Sequence, residues 1–190
     1  MKYASKLNSF TLNIQRIAGE INNKNISVIL IKTQRQRMES PMNIYEALRQ
    51  SHDTQRQMCI DLLGSEPNAQ TRKQLFKLLK VELEAHAAAE ERFLYCPIMM
   101  EDAGLSISRH ALSEHHEMEE MMEELTTNDP TVQGWLTRAK ALCEKVNHHL
   151  DEEEKAFFQL SGKLLTDKQK SSLAKDYLTD YERLKTKYSS

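Results

Sequence analysis

The stretch Leu83-Glu84-Ala85-His86-Ala87-Ala88-Ala89-Glu90-Glu91 and its counterpart Val146-Asn147-His148-His149-Leu150-Asp151-Glu152-Glu153 decide the fold. Each sets a histidine and a glutamate four residues apart, inside a run whose apolar residues recur at spacings of three and four. In a helix those spacings fall on one face. Leu79, Leu83, His86, Glu90, Phe93 and Pro97 therefore make one stripe, and Trp135, Ala139, Leu142, Val146, His149, Glu153, Ala156 and Leu160 another. A stripe that is otherwise apolar faces a core, so each segment carries an imidazole and a carboxylate inward.

Working outward, Leu48, His52, Cys59 and Leu62 repeat in the same way, with Gln55 interrupting, and so do Ala111, His115, Met118, Met122 and Leu125. A histidine stands on every stripe. The punctuation predicts five helices. Ser40 as N-cap with Pro41 in the first turn opens a helix that runs to Leu63, and Gly64 supplies a left-handed cap. The others are expected over about 67–97, 107–126, 131–161 and 167–187. Short connections make sequential helices antiparallel neighbours, so the expected fold is all-α: an up-down-up-down four-helix bundle over residues 42–165. Residues 166–190 add a fifth helix, whose Leu173, Tyr177, Leu178, Tyr181 and Leu184 suit packing on the bundle, with self-association as the alternative.

Residues 1–41 differ in kind. They hold seven Lys/Arg against two Glu, whereas residues 42–190 hold 19 Lys/Arg against 26 Asp/Glu. This basic, Asn-rich extension has no stripe linking it to the bundle and is expected to be mobile and dispensable, Met42 standing where a start would fit. With a formal charge of −2 and no basic segment interleaved with aromatics, nothing argues for nucleic acid. No apolar run reaches the length of a membrane span. The three widely spaced cysteines, with no CxxC pair, indicate neither a disulfide framework nor a zinc ribbon, and a reducing cytoplasm is expected.

The histidines carry the chemistry. Glutamate follows four residues after six of the seven, so that spacing alone discriminates nothing. Position does: His110, His116 and His148 fall on polar faces, while His52, His86, His115, His149, Glu90 and Glu153 face inward. At ~1.5 Å of rise per residue, these six lie about 10 to 18 Å from the same end of an antiparallel bundle, in one layer. An unpaired carboxylate in an apolar core is strongly unfavourable, and no Lys or Arg lies on the stripes to neutralise it. Four imidazoles and two carboxylates suit two metal ions, each with two His, the two Glu bridging. An N/O donor set without thiolate favours iron, with manganese or zinc as alternatives.

These residues resemble the hemerythrin-like HHE cation-binding domains. The resemblance runs from about Met42 to Leu165 through Ser51-His52-Asp53, His86-Ala-Ala-Ala-Glu90-Glu91 with Tyr95-Cys96-Pro97, Glu114-His115 with Met118, and His148-His149-Leu-Asp-Glu-Glu153-Glu154 with Phe157-Phe158. It implies a non-haem di-iron bundle with His52, His86, Glu90, His115, His149 and Glu153 as metal ligands. It also marks departures. The oxygen carriers of the family have a fifth histidine where this chain has Glu119, and an Asp five residues after the last His, where it has Glu153 at four and Glu154 at five. One fewer imidazole implies an open or water-filled position and no reversible oxygen carriage.

Three functions remain open on the sequence: a di-iron protein that binds or senses dioxygen, nitric oxide or another small redox molecule; an iron-handling or iron-sensing module without turnover; and a metal-free interaction domain, which needs no inward Glu pair. No acid, base or nucleophile stands out beyond the ligands, so no catalytic residue is assigned.

Overall fold

The computed structural model describes residues 42–64, 68–131 and 134–190, all within one compact unit, Met42–Ser190. The expectations for residues 1–41 lie outside the described residues. The described elements are all helical: α1 (Ile44–Leu63), α2 (Ala69–Glu90), α3 (Leu105–Thr127), α4 (Trp135–Glu152) and α5 (Asp167–Ser189). Two of them run on. α2 continues through a π-helical turn, Glu91–Tyr95, into Cys96–Met99, and α4 through a second, Glu153–Phe157, into Phe158–Leu164.

Side chains fix the helix starts. α1 begins at Ile44, where Asn43 and Glu46 form a reciprocal cap; the start expected at Ser40-Pro41 lies outside the described residues. The Asn43 side chain accepts from the Glu46 N–H at 3.1 Å and Glu46 accepts from the Asn43 N–H at 3.0 Å. Thr166 and Gln169 do the same for α5. Gly64 ends α1 as expected but in an extended conformation, φ −59° and ψ 166°, not a left-handed one. Among the described residues the left-handed glycine is Gly134, at φ 99°, which stands immediately before α4, so that this helix starts at Trp135 instead of Thr131. The Trp135 indole N–H then donates to the Leu125 carbonyl at 3.1 Å and ties the turn to α3.

Each of α1–α4 passes through the same three zones. One apolar cluster contains Ile44 and Leu48 of α1, Ala111 of α3, the post-π residues Leu94, Tyr95 and Ile98, and Phe157 with Phe158. The other contains Cys59 and Leu62, Phe76 and Leu79, Met118 and Met122, and Trp135 through Val146. Between them in every helix stands the polar layer. α5 lies against α1 and α2, burying Ala174, Tyr177, Tyr181 and Leu184. It is held there by Tyr181 donating to the buried Glu82, by Lys185 Nζ 3.0 Å from Glu82 Oε2, and by an Arg92–Asp180 ion pair.

The π turns correct two stripes. Past Glu90 the buried residues are Leu94, Tyr95 and Ile98, while Phe93 and Pro97 are only half-buried. Past Glu153 they are Phe157, Phe158 and Ser161, while Ala156 is exposed and Leu160 half-buried. The Cys96 N–H reaches back five residues to the Glu91 carbonyl, and the Phe158 N–H five residues to that of Glu153. One extra residue per turn displaces the inward face by one position, which a uniform helical period cannot anticipate.

Candidate metal centre

All six sequence-predicted residues come together in the polar layer, none more than 7% exposed. His52 Nε2 lies 3.2 Å from Glu153 Oε2, and His86 Nε2 lies 3.3 Å from Glu90 Oε2. His115 Nε2 lies 3.6 Å from the same Glu90 oxygen and 3.1 Å from His149 Nε2. The six do not form two equal halves. His52, His86 and Glu90 each offer a donor atom within 4.8 Å of the others, and so do Glu90, His115 and His149. Glu90 is thus common to both groups. Glu153 instead sits beside His52, with its Oε1 accepting from the Tyr95 hydroxyl at 3.2 Å.

Each imidazole is oriented through its other nitrogen. His52 Nδ1 is 2.9 Å from Glu154 Oε1, His115 Nδ1 2.8 Å from Glu91 Oε1, and His149 Nδ1 3.0 Å from Glu114 Oε2. A carboxylate can only accept, so Nδ1 carries the proton and the Nε2 lone pair points into the layer. His86 reaches the same tautomer by another route. Ser51 donates its hydroxyl proton to the Leu48 carbonyl at 2.8 Å and so accepts from His86 Nδ1 at 2.9 Å, while the Tyr177 hydroxyl stands 3.0 Å from that nitrogen.

The electrostatics agree. Glu114 is held down at about 2, first by the hydrogen bond from His149, with Lys145 adding to it against the opposing effect of burial. Glu154 is likewise held at about 2, first by His52 and also by Arg56, again against burial. Both are therefore firm acceptors at neutral pH. Burial lowers the pKa of His149, which keeps it neutral and able to ligate. The buried carboxylates divide unequally. For Glu90 the cost of burial is outweighed by His86, Glu153 and His115, and its pKa falls well below the usual range; burial, then the charge on Glu90, drives that of Glu153 well above it. Two like charges in one dry layer cannot both be held without a cation.

The donor set fits a metal pair on another observation. His52 Nε2, His86 Nε2, both oxygens of Glu90 and Glu153 Oε2 are all buried without a hydrogen-bond partner. Five such atoms facing one another are unfavourable in a folded core unless cations occupy the space between them. A third group, His110, Glu114 and Glu152, is unlike this: its histidine side chain is 55% exposed, and Glu114 already serves His149 and Lys145. His116 and His148 are also surface residues, and Glu119, at the position of the departed fifth histidine, has a side chain 76% exposed.

Sequence reasoning missed the residues that orient the ligands. Ser51, Glu91, Glu114 and Glu154 each stand next in sequence to a layer residue, and a carboxylate or hydroxyl beside an inward His or Glu was the available signal. Tyr177 had none, being 91 residues from the histidine it touches.

Comparison with known proteins identifies the family. A curated relative named DNA nickase, from Nostoc sp. strain PCC 7120, is 25% identical over 146 residues, 77% of this chain, and the chain spans 40% of that relative's length. The crystal structure of a hemerythrin HHE cation binding domain-containing protein from Mycobacterium kansasii superposes with a TM-score of 0.69 over 77% of this chain and 89% of that one, at 22% identity, so the fold is shared. The family model of the hemerythrin HHE cation binding domain matches residues 43–161, nearly the whole of α1 through α4. The chain belongs to the hemerythrin HHE cation-binding family.

Proposed function

We propose that the chain is a non-haem di-iron protein that binds or senses dioxygen, nitric oxide or another small redox molecule. Its ligands are His52, His86, Glu90, His115, His149 and Glu153, held by an up-down-up-down bundle over residues 42–165, with 166–190 as a covering helix. The order of the zones supports that topology: α1 and α3 run from the Ile44–Phe158 cluster toward the Met118–Trp135 cluster, and α2 and α4 run back.

The observation that carries the reading is the set of inward-facing donors, each imidazole fixed through Nδ1 and each carboxylate without a protein counter-ion. Iron, when bound, supplies a redox couple and an exchangeable coordination position. The rest falls to the side chains. Glu90, shared by both groups, would offer a carboxylate donor to each, and Tyr95 holds Glu153 toward His52. The apolar clusters close the layer at its two ends. The absence of an imidazole at Glu119 leaves one side with a less complete donor set, which favours oxidation over reversible carriage.

Anaerobic loading with ferrous iron, metal quantification and an optical spectrum on admitting oxygen test this. Two irons per chain and a ferric spectrum that does not revert under vacuum are expected. A well-folded protein retaining no metal would overturn the metal reading, and an oxygen adduct discharged intact over repeated cycles would restore the carrier reading. Manganese and zinc, the alternatives, are compared by competition in the same preparation.

A further inference from the structure

Gln55 takes no part in the tethers described above. It breaks the apolar stripe of α1 one turn beyond His52, it is 1% exposed, and its amide nitrogen is buried without a hydrogen-bond partner. It lines a cleft of about 680 Å³ between α2 and α3, together with His86, His115 and His149 of the polar layer and the apolar Leu83, Met118 and Met122. The cleft is open to solvent beside His116, whose side chain is 70% exposed. It therefore joins solvent to the side of the layer on which three of the four inward imidazoles stand.

A wall that had only to keep this space dry would be complete with Leu or Met, which match the neighbouring side chains. An amide there is unfavourable while its donor is unpaired. Its backbone is helical and its neighbours in the cleft wall are apolar or, like Glu84 with Lys80, Glu91 with His115 and Glu119 with His116, have partners of their own, so the donor is left for something that enters.

We propose that Gln55 is the hydrogen-bond donor to a small guest that reaches the metal pair through this cleft, and that it favours guests whose outer atom carries negative charge. The inference rests on the di-iron reading above. An amide N–H adds a charge-assisted bond to such a guest, of the size of azide or reduced dioxygen, and adds little to a neutral one. Gln55 thus acts on the guest and not on the metal, which separates its role from that of Glu154, Glu91, Glu114 and Ser51.

The test uses the full chain and its Gln55→Leu and Gln55→Met variants, loaded with iron and oxidised, with azide as the probe. Azide affinity is read by optical titration, and the antisymmetric stretch of bound azide by infrared spectroscopy in H2O and D2O. Both variants are expected to keep the iron content and helicity of the wild type, to bind azide about 10-fold more weakly, and to lose the deuterium sensitivity of the azide band. Unchanged affinity with the deuterium sensitivity retained in a fully loaded variant would overturn the proposal. So would loss of iron in both variants, since Gln55 would then act on the metal. Failure of the di-iron reading is separately visible, as wild-type protein that takes up no iron.

Discussion

Replacing Glu90 by leucine should move the stability of the metal-free and metal-loaded protein in opposite directions. Glu90 is fully buried, neither carboxylate oxygen has a hydrogen-bond partner, and its nearest neighbours in the layer are the lone pairs of His86 Nε2 at 3.3 Å and His115 Nε2 at 3.6 Å. Replacing buried ionic groups by apolar residues of similar volume is neutral to stabilising by about 1–4 kcal/mol where no uncompensated charge is left behind, and here the imidazoles face Glu90 through Nε2 lone pairs. Part of that gain is offset by the imperfect packing of leucine in the space Glu90 leaves, so a net gain of about 2 kcal/mol is expected. At roughly 2–4 °C per kcal/mol for a chain of this size, the chelated Glu90→Leu protein should melt roughly 4–8 °C above chelated wild type. Ferrous loading reverses the order. Wild type gains about 4 kcal/mol at a thousandfold excess of metal over Kd, whereas the variant has lost the one carboxylate shared by both donor groups and should retain at most about one of two irons. Calorimetry with and without chelator, beside metal quantification, reads both arms. A chelated variant that melts below wild type, or a variant that retains both irons, would refute the reasoning about Glu90.

Other outcomes follow from the same geometry. Tyr177→Phe removes a hydroxyl 2.8 Å from Ser51 Oγ and 3.0 Å from His86 Nδ1, and should weaken iron binding about 10-fold in chelator competition while leaving helicity unchanged; equal affinity would mean that Ser51 alone orients His86. Phe157→Ala should cost about 3–5 kcal/mol in denaturant unfolding, and Ala156→Ser no more than about 0.5 kcal/mol, because the π turn buries Phe157 and leaves Ala156 exposed; the reverse order would remove the turn. His116→Ala and His148→Ala should leave the iron content of the wild type unchanged, since both side chains are about two-thirds or more exposed, whereas Glu153→Ala should lower it; equal content in all three would refute the assignment of faces.

Spacing alone placed the five helices, though not all of their first residues, and showed which faces turn inward as far as the first glutamate on each two-part helix. Apolar periodicity is a local property: a side chain three or four residues on lies on the same face whatever the helix packs against. Hence His52, His86, Glu90, His115, His149 and Glu153 could be placed in one layer from spacing and rise, and His110, His116 and His148 outside it. Caps are nearly as local, yet Ser40-Pro41 and Asn43 with Glu46 are rival starts within a few residues, and it is the reciprocal pair that caps the helix.

Tertiary structure alone decided the rest. The π turns after Glu90 and Glu153 sit where each helix leaves the polar layer, and they move the inward face from Phe93 to Leu94 and from Ala156 to Phe157, a change of phase that no local period encodes. The tethers on the imidazoles join different helices, and Tyr177 arrives from α5, whose own stripe says only that it is amphipathic and not which groove it fills. The unequal sharing of charge between Glu90 and Glu153 also needs the assembled layer, because burial and the neighbouring imidazoles set it and neither exists until the helices meet.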